Sequence, residues 1–121
     1  MNEVILISGA VEYQINLDPT VWIFDERKIP LKERFPGIDD WGMHLAPFLE
    51  HAKPKKEATH VIIVQANGQQ TQITLEQAKQ AILRFTREGK PIRPDGPALL
   101  YFGDGSNVQN PLGSLTEFKV I

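Results

Sequence analysis

The chain has 121 residues, the size of one ordinary domain, with 41% hydrophobic residues and a formal net charge of −2. That balance argues against a disordered chain and against a general nucleic-acid binder, which needs a basic excess. Cysteine is absent, which excludes disulfide scaffolds, thiolate metal sites, iron–sulfur clusters and cysteine nucleophiles.

In chain order, Met1-Asn2-Glu3 lacks the positive charge of a signal peptide, and no apolar run approaches the roughly 20 residues needed to span a bilayer. The expectation is a cytoplasmic protein with no membrane partner. Val4–Ser8 reads as a buried strand closed by Gly9. Val11, Tyr13, Ile15 and Leu17 alternate with polar residues, the pattern of a half-buried strand, and Gly9-Ala10 is the hairpin turn between the two. Asp18-Pro19-Thr20 is a turn, and Val21–Phe24 reads as a third strand. Ile29–Phe35 fits either a short edge strand or a helical turn, because Pro30 blocks a regular ladder.

Trp41, Leu45, Phe48, Leu49 and Ala52 share one helical face. Pro47 is tolerated only in a first turn, so this helix begins near His44 or Leu45 and stops before Pro54, with Lys53, Lys55 and Lys56 suiting its C-terminal dipole. Thr59–Ala66 is apolar on both faces and reads as a central strand. Asn67-Gly68 turns a hairpin into Gln70–Ile73. Thr74 and Gln77 form a capping box for a helix over Leu75–Glu88, with Leu75, Ala78, Ile82 and Phe85 as its buried stripe and Gly89 as its stop. Lys90–Pro97 is a loop, Ala98–Phe102 a buried strand, Gly103–Gly113 a polar loop and Ser114–Ile121 a last strand. The expected fold is a single α+β domain over residues 1–121, with a mixed, mostly antiparallel sheet and two main helices.

The residues that bear chemistry form no strong motif. On one helix His44 and His51 would stand about 10.5 Å apart along the axis, too far to share a metal. His60 has no acid beside it, so no metal site is expected. Gly103-Asp104-Gly105-Ser106-Asn107, with Tyr101 before it, resembles a polar binding loop, but no Lys and no helix follow as a phosphate loop requires. Asp25, Glu26, Asp39 and Asp40 are candidate paired carboxylates. Ser106, His44 and Asp25 make a triad on paper only, since no G-x-S-x-G elbow is present.

From Trp41 onward a run of short motifs resembles a known family. Trp41-Gly42-Met43-His44-Leu45 with Phe48-Leu49-Glu50-His51-Ala52, then Ala58-Thr59-His60-Val61, Gln65-Ala66-Asn67-Gly68 and Ile73–Ala78 follow the order of the sulfite-oxidase-type molybdopterin-binding domain. Gly89-Lys90-Pro91-Ile92, Gly96-Pro97-Ala98-Leu99-Leu100 and Leu115-Thr116-Glu117-Phe118-Lys119-Val120 continue it, so that the likeness spans about two-thirds of the chain. The resemblance implies that fold. It also implies a metal held by a Cys thiolate, which this chain lacks. Leu99 stands at the family's basic position after Gly-Pro-hydrophobic, and Gly113-Ser114 replaces a Lys-Trp pair. The expectation is therefore no cofactor. A shorter stretch, Tyr101–Gly105 with Pro111-Leu112 and Leu115–Val120, is similar to the C-terminal segment of FK506-binding-type prolyl isomerases.

Two functions compete on this reading. One is a non-catalytic module binding a small molecule or a protein near Asp25, Arg27, Trp41 and His44, where the cofactor mouth would have been; Tyr101, Asp104, Ser106 and Asn107 form an alternative loop site. The other is a prolyl isomerase with a pocket lined by Trp22, Tyr101 and Phe102.

Overall fold

The computed structural model describes residues 3–121. The reading of the chain's opening as lacking signal-peptide charge rests partly on Met1 and Asn2, which lie outside the described residues. In chain order the elements are β1 (Ile5–Gly9), β2 (Ile15–Leu17), the 3-10 helix η1 (Pro19–Phe24), β3 (Ile29–Pro30), the 3-10 turn η2 (Leu31–Glu33), β4 (Trp41–His44), α1 (Ala46–Ala52), β5 (His60–Gln65), β6 (Gln70–Thr74), α2 (Leu75–Lys79), β7 (Ile82–Arg84), β8 (Thr86–Arg87), β9 (Lys90–Pro91), β10 (Leu99–Tyr101) and β11 (Leu115–Val120).

The strands form a five-stranded sheet in the order β2-β1-β11-β5-β6, a four-stranded sheet in the order β10-β7-β4-β3, and the hairpin β8-β9. Among the described residues only β1 and β11 run parallel; the other pairings are antiparallel. This is the α+β architecture with a mixed, mostly antiparallel sheet that the patterning implied.

Register explains the core. In the four-stranded sheet Met43, Leu83 and Leu100 lie side by side across β4, β7 and β10. They face the main core with Ile5, Ile7, Val61, Ile63 and Phe118 of the larger sheet and Phe48, Leu49 and Ala78 of the helices. The neighbouring rows, His44-Ile82-Tyr101 and Gly42-Arg84-Leu99, face the other way. There Ile82, Leu99 and Tyr101 join Leu31, Phe35 and Ile92 in a second cluster. β7 is thus buried on both faces. Gly42 is required at this crossing, since a Cβ there would lie 2.6 Å from Leu31 Cδ2 and 3.1 Å from Ile82 Cγ2.

Several local expectations are corrected. The helix expected over Leu75–Glu88 ends at Lys79, although its Thr74–Gln77 capping box is formed. Ala81-Ile82-Leu83 is a contiguous apolar run because it becomes a strand sandwiched between two clusters, a pattern that periodicity alone does not separate from a helix. Gly89 is no helix stop. With Glu88 (φ 55°) it supplies positive φ (78°) in the β8–β9 turn, as type I′ hairpins require. That hairpin also takes Lys90 and Pro91 out of the expected loop.

Val21–Phe24 is no strand but the end of η1, begun by Asp18, whose carboxylate accepts from Thr20 N at 3.1 Å. Val11 and Tyr13 do not extend β2. They run against the end of α1, with Glu12 N donating to Lys53 O at 2.9 Å and Tyr13 N to Ala52 O at 3.0 Å. Trp41 lies on β4 rather than on the helix, and α1 begins at Ala46 with Pro47 in its first turn. The strands over 60–65, 70–74, 99–101 and 115–120 stand where the sequence placed them.

Candidate functional site

The first candidate group is built from the segment after η1 and from β4. Asp25 accepts from Arg27 three times: from its backbone N at 2.8 Å, Nε at 3.0 Å and Nη2 at 2.7 Å. The Arg27 hydrogen bonds hold the Asp25 carboxyl down at about 2. The guanidinium in turn lies 4.8 Å from the centroid of the Phe48 ring, and Phe48 stacks on Trp22 at 5.2 Å. The aromatic stack thus seats the ion pair over the main core. Trp41 packs against that core, with Lys28 Nζ 5.0 Å from its ring centroid.

His44 lies elsewhere. Side chains alternate along a strand, so Trp41 and Met43 share one face of β4 while Gly42 and His44 take the other. The structure thus brings Asp25 and Arg27 together, sets Trp41 on the same core, and turns His44 toward the row of Ile82 and Tyr101. A cavity of about 230 Å³ beside Trp41 is lined by Pro30, Lys32, Asp39, Asp40 and Gly89, and by none of the other three residues.

The strongest polar constellation centres on Asp40, whose side chain is 8% exposed. Its carboxylate accepts from Arg84 Nη2 at 2.8 Å, Thr86 Oγ1 at 2.9 Å, Gly89 N at 3.1 Å and Glu88 N at 3.2 Å. Burial pushes its pKa up. The Gly89, Thr86 and Glu88 hydrogen bonds and the Arg84 charge outweigh that and leave it below the usual carboxylate value. Arg84 also donates to Thr86 O at 2.9 Å and Tyr101 Oη at 3.3 Å. The cluster ties the β8–β9 turn to β4 and β7. Every donor around it is already matched, so it is a structural clasp rather than an acid–base pair. Asp40 is one of the four candidate paired carboxylates in the sequence. Arg84 is not among the candidate residues there, and its one signal is that of a lone cation within an otherwise apolar run.

The alternative loop site separates. Tyr101 is buried and stacks on Phe35 at 5.4 Å. Asn107 fastens the loop by accepting from Phe102 N at 2.8 Å and donating to Leu100 O at 3.0 Å. Asp104 accepts from Ser106 N at 2.9 Å, and that bond first of all lowers its pKa. Asp104 and Ser106 alone reach a cavity of about 230 Å³, shared with Phe102, Glu76, Gln77 and Gln80. The isomerase reading finds no support, because Trp22 and Tyr101 belong to different apolar clusters and line no common pocket. The paper triad gains no support either: the Asp25 carboxylate is taken up by Arg27 rather than by His44.

Comparison with known proteins places the fold. No protein-family model matches the sequence, and no curated protein matches it. Among solved structures, the crystal structure of the sulfane dehydrogenase SoxCD from Paracoccus pantotrophus is similar over 97% of this chain, with a TM-score of 0.68 at 13% identity. The match spans 37% of that protein's chain. The likeness shows a shared α+β fold.

The residues present do not fit the cofactor that the sequence resemblance implies. There is no thiolate, and among the described residues no group of three or more His, Asp or Glu side chains is placed to hold a metal ion. Arg27, Arg84 and Arg87 are each paired with a carboxylate. Arg84 is held by Asp40, Arg27 by Asp25, and Arg87 donates to both carboxylate oxygens of Asp95 at 3.0 and 3.2 Å. Leu99 is buried in the sheet. A side chain at Gly113 would meet Leu99 Cδ2 at 2.9 Å and Asp95 O at 3.0 Å. No helix of the described residues is long and apolar enough to cross a membrane.

Proposed function

We propose that the chain is a non-catalytic interaction module on a molybdopterin-domain-type fold, and that its partner is another protein. The observation that carries this reading is η1. One short helix leaves Phe24 86%, Val21 53% and Ile23 37% exposed while burying Trp22. Adjacent exposed apolar side chains with a polar rim are the usual mark of a contact surface. Here the rim is the Asp25–Arg27 pair, with Lys28 over Trp41 beyond it. Asp25, Arg27 and Trp41 therefore belong to this surface, and His44, on the opposite face of β4, does not. The paired arginines and the missing thiolate support the absence of the cofactor.

The test has two arms. Metal analysis of protein purified from its native host is expected to find no stoichiometric molybdenum; finding it would end the proposal. Cross-linking from a photoreactive residue at position 24 in the host is expected to capture one defined protein, lost when Val21 and Ile23 become Ser. Cross-links spread over many proteins, and unaltered by those changes, would count against the surface.

A further inference from the structure

The backbone of β6 carries an inference about a different surface. Hydrogen-bond phase is fixed at both ends of the β5–β6 pair. Leu75 N donates to Thr59 O at 2.8 Å and Gln65 N to Gln69 O at 3.0 Å. In an antiparallel ladder, directly bonded pairs alternate with unbonded ones. The register pairs Val61 with Ile73 and Ile63 with Thr71, so these are the bonded pairs. Thr71 and Ile73 therefore direct their N–H and C=O groups toward β5, while Gln70, Gln72 and Thr74 direct theirs away from it. The other side of β5 agrees: His60 exchanges bonds with Ile121 of 3.0 and 2.9 Å. β6 is the last strand of its sheet. Its outward Thr74 N–H is taken by Gln77 Oε1 at 2.8 Å. The N–H and C=O groups of Gln70 and Gln72 are left as an open edge.

Exposed edges are normally defended by brevity, proline, charge, a bulge or a cover. The other edges of this molecule show such defences. β2 has three residues and β3 two, one of them Pro30. β10 is covered by Leu112, which exchanges bonds of 2.8 and 3.2 Å with Leu100. β6 has five residues, no proline, no charge and an unbroken register with β5. The neutrality extends well beyond the strand: no Asp, Glu, Lys or Arg occurs from Ala58 to Leu75, in a chain that is 23% charged.

We infer that β6 is a self-association edge, paired antiparallel with β6 of a second copy about a twofold axis near Thr71. That axis sets Gln70 of each copy opposite Gln72 of the other, so the open N–H and C=O groups of both residues are bonded in both copies. Thr71 meets its own equivalent, a favourable cross-strand pair. Charge selects this occupant. A charged segment finds no counter-charge on β6, whereas two neutral edges meet without repulsion, and a twofold contact must be self-complementary. Pairing along one short strand buries less than the ~1,200 Å² of a standard stable interface. The dimer is therefore expected to be weak, with a dissociation constant of about 10 µM to 1 mM.

The test uses the full chain in sedimentation velocity over a concentration series up to about 1 mM, with amide hydrogen exchange followed in parallel. Wild type is expected to shift from monomer to dimer, and the Gln70 and Gln72 amides are expected to gain protection as concentration rises. The double variant Gln70→Lys with Gln72→Lys sets like charges opposite each other twice and should weaken the dimer at least tenfold. Gln70→Lys with Gln72→Glu sets opposite charges there and should keep it. Both side chains are exposed, so thermal melting at low concentration should not move. A monomer throughout the series, equal dimerisation of the two double variants, or exchange independent of concentration would each overturn the inference.

Discussion

Two apolar runs of nearly the same composition meet opposite fates. Val21-Trp22-Ile23-Phe24 buries only Trp22, at 4% exposure, and leaves its other three side chains in solvent. Ala81-Ile82-Leu83-Arg84-Phe85 buries every apolar member, the most exposed being Phe85 at 3%. The difference lies in period and surroundings. A 3-10 helix repeats every three residues, so η1 offers Pro19 and Trp22 to the core on one line and leaves Val21, Ile23 and Phe24 exposed. β7 alternates every residue between two apolar clusters and so needs apolar groups on both faces. Hydrophobic composition marks both segments, but only the layers around them decide which is core and which is contact surface.

The largest expected effect separates these fates directly. Phe85 makes an edge contact with Trp22 at 5.6 Å inside the main core, and Phe85→Ala should cost about 3–5 kcal/mol, as large-to-small core changes do. Denaturant midpoints compared at a constant slope would check it. A loss below about 1 kcal/mol would mean that the 81–85 run is no more essential than η1. Next comes the one charge in that run. Arg84 is tolerated because Asp40 meets it, with side chains 17% and 8% exposed. Asp40→Asn removes a charged partner and weakens several hydrogen bonds at once, an expected loss of about 2–3 kcal/mol. Tyr101→Phe, which removes only the long contact to Arg84, should matter much less.

A smaller effect is the pH dependence. The Asp40 and Asp95 pKa values lie below their ordinary values, Asp40 through its hydrogen bonds and Arg84 and Asp95 chiefly through Arg87. A depressed carboxyl stabilises the fold above the unfolded pKa of about 4, and that contribution is lost as pH falls through the lower folded value. Stability of the wild type should therefore decline below about pH 4, and the decline should be shallower in Asp40→Asn. Equal slopes in acid denaturation of the two proteins would show that the β8–β9 clasp is not linked to protonation.

Much of the frame was legible beforehand because it rests on local rules. The Asn67-Gly68 turn, the Thr74–Gln77 capping box and Pro47 in a first turn are found as their residues require. The runs that became β5, β10 and β11 announced themselves by length and apolarity. What was not legible depended on a second layer. Ile82 and Phe85 fit a helical stripe, and nothing local says that Leu31, Phe35 and Tyr101 form a second cluster behind β7. The candidate site was partly legible for a similar reason. Asp25 and Arg27 are neighbours whose pairing is local, whereas the separation of His44 from Trp41 follows from β4 being a strand rather than the start of a helix. Asp40 was visible as a carboxylate but not as a clasp, since its partners lie more than 40 residues downstream.

The smallest expected change in stability is also the most direct test of the contact surface. Phe24 is 86% exposed, so Phe24→Ser removes an aromatic group that folding barely buries. Surface changes of this kind usually stay within ±0.5 kcal/mol, and the denaturant midpoint should hardly move. Trp22→Ser, two residues earlier, removes the stacked partner of Phe48 and should cost about 3–5 kcal/mol. The pair thus isolates burial from composition within one helix. If Phe24→Ser also destabilised by more than about 1 kcal/mol, the ring would be contributing to the fold and η1 would lose its claim to be a contact surface. If it left stability unchanged but abolished affinity pull-down of the protein that position 24 cross-links in the otherwise unaltered chain, the exposed run would be retained for binding, which is the distinction the comparison with 81–85 rests on.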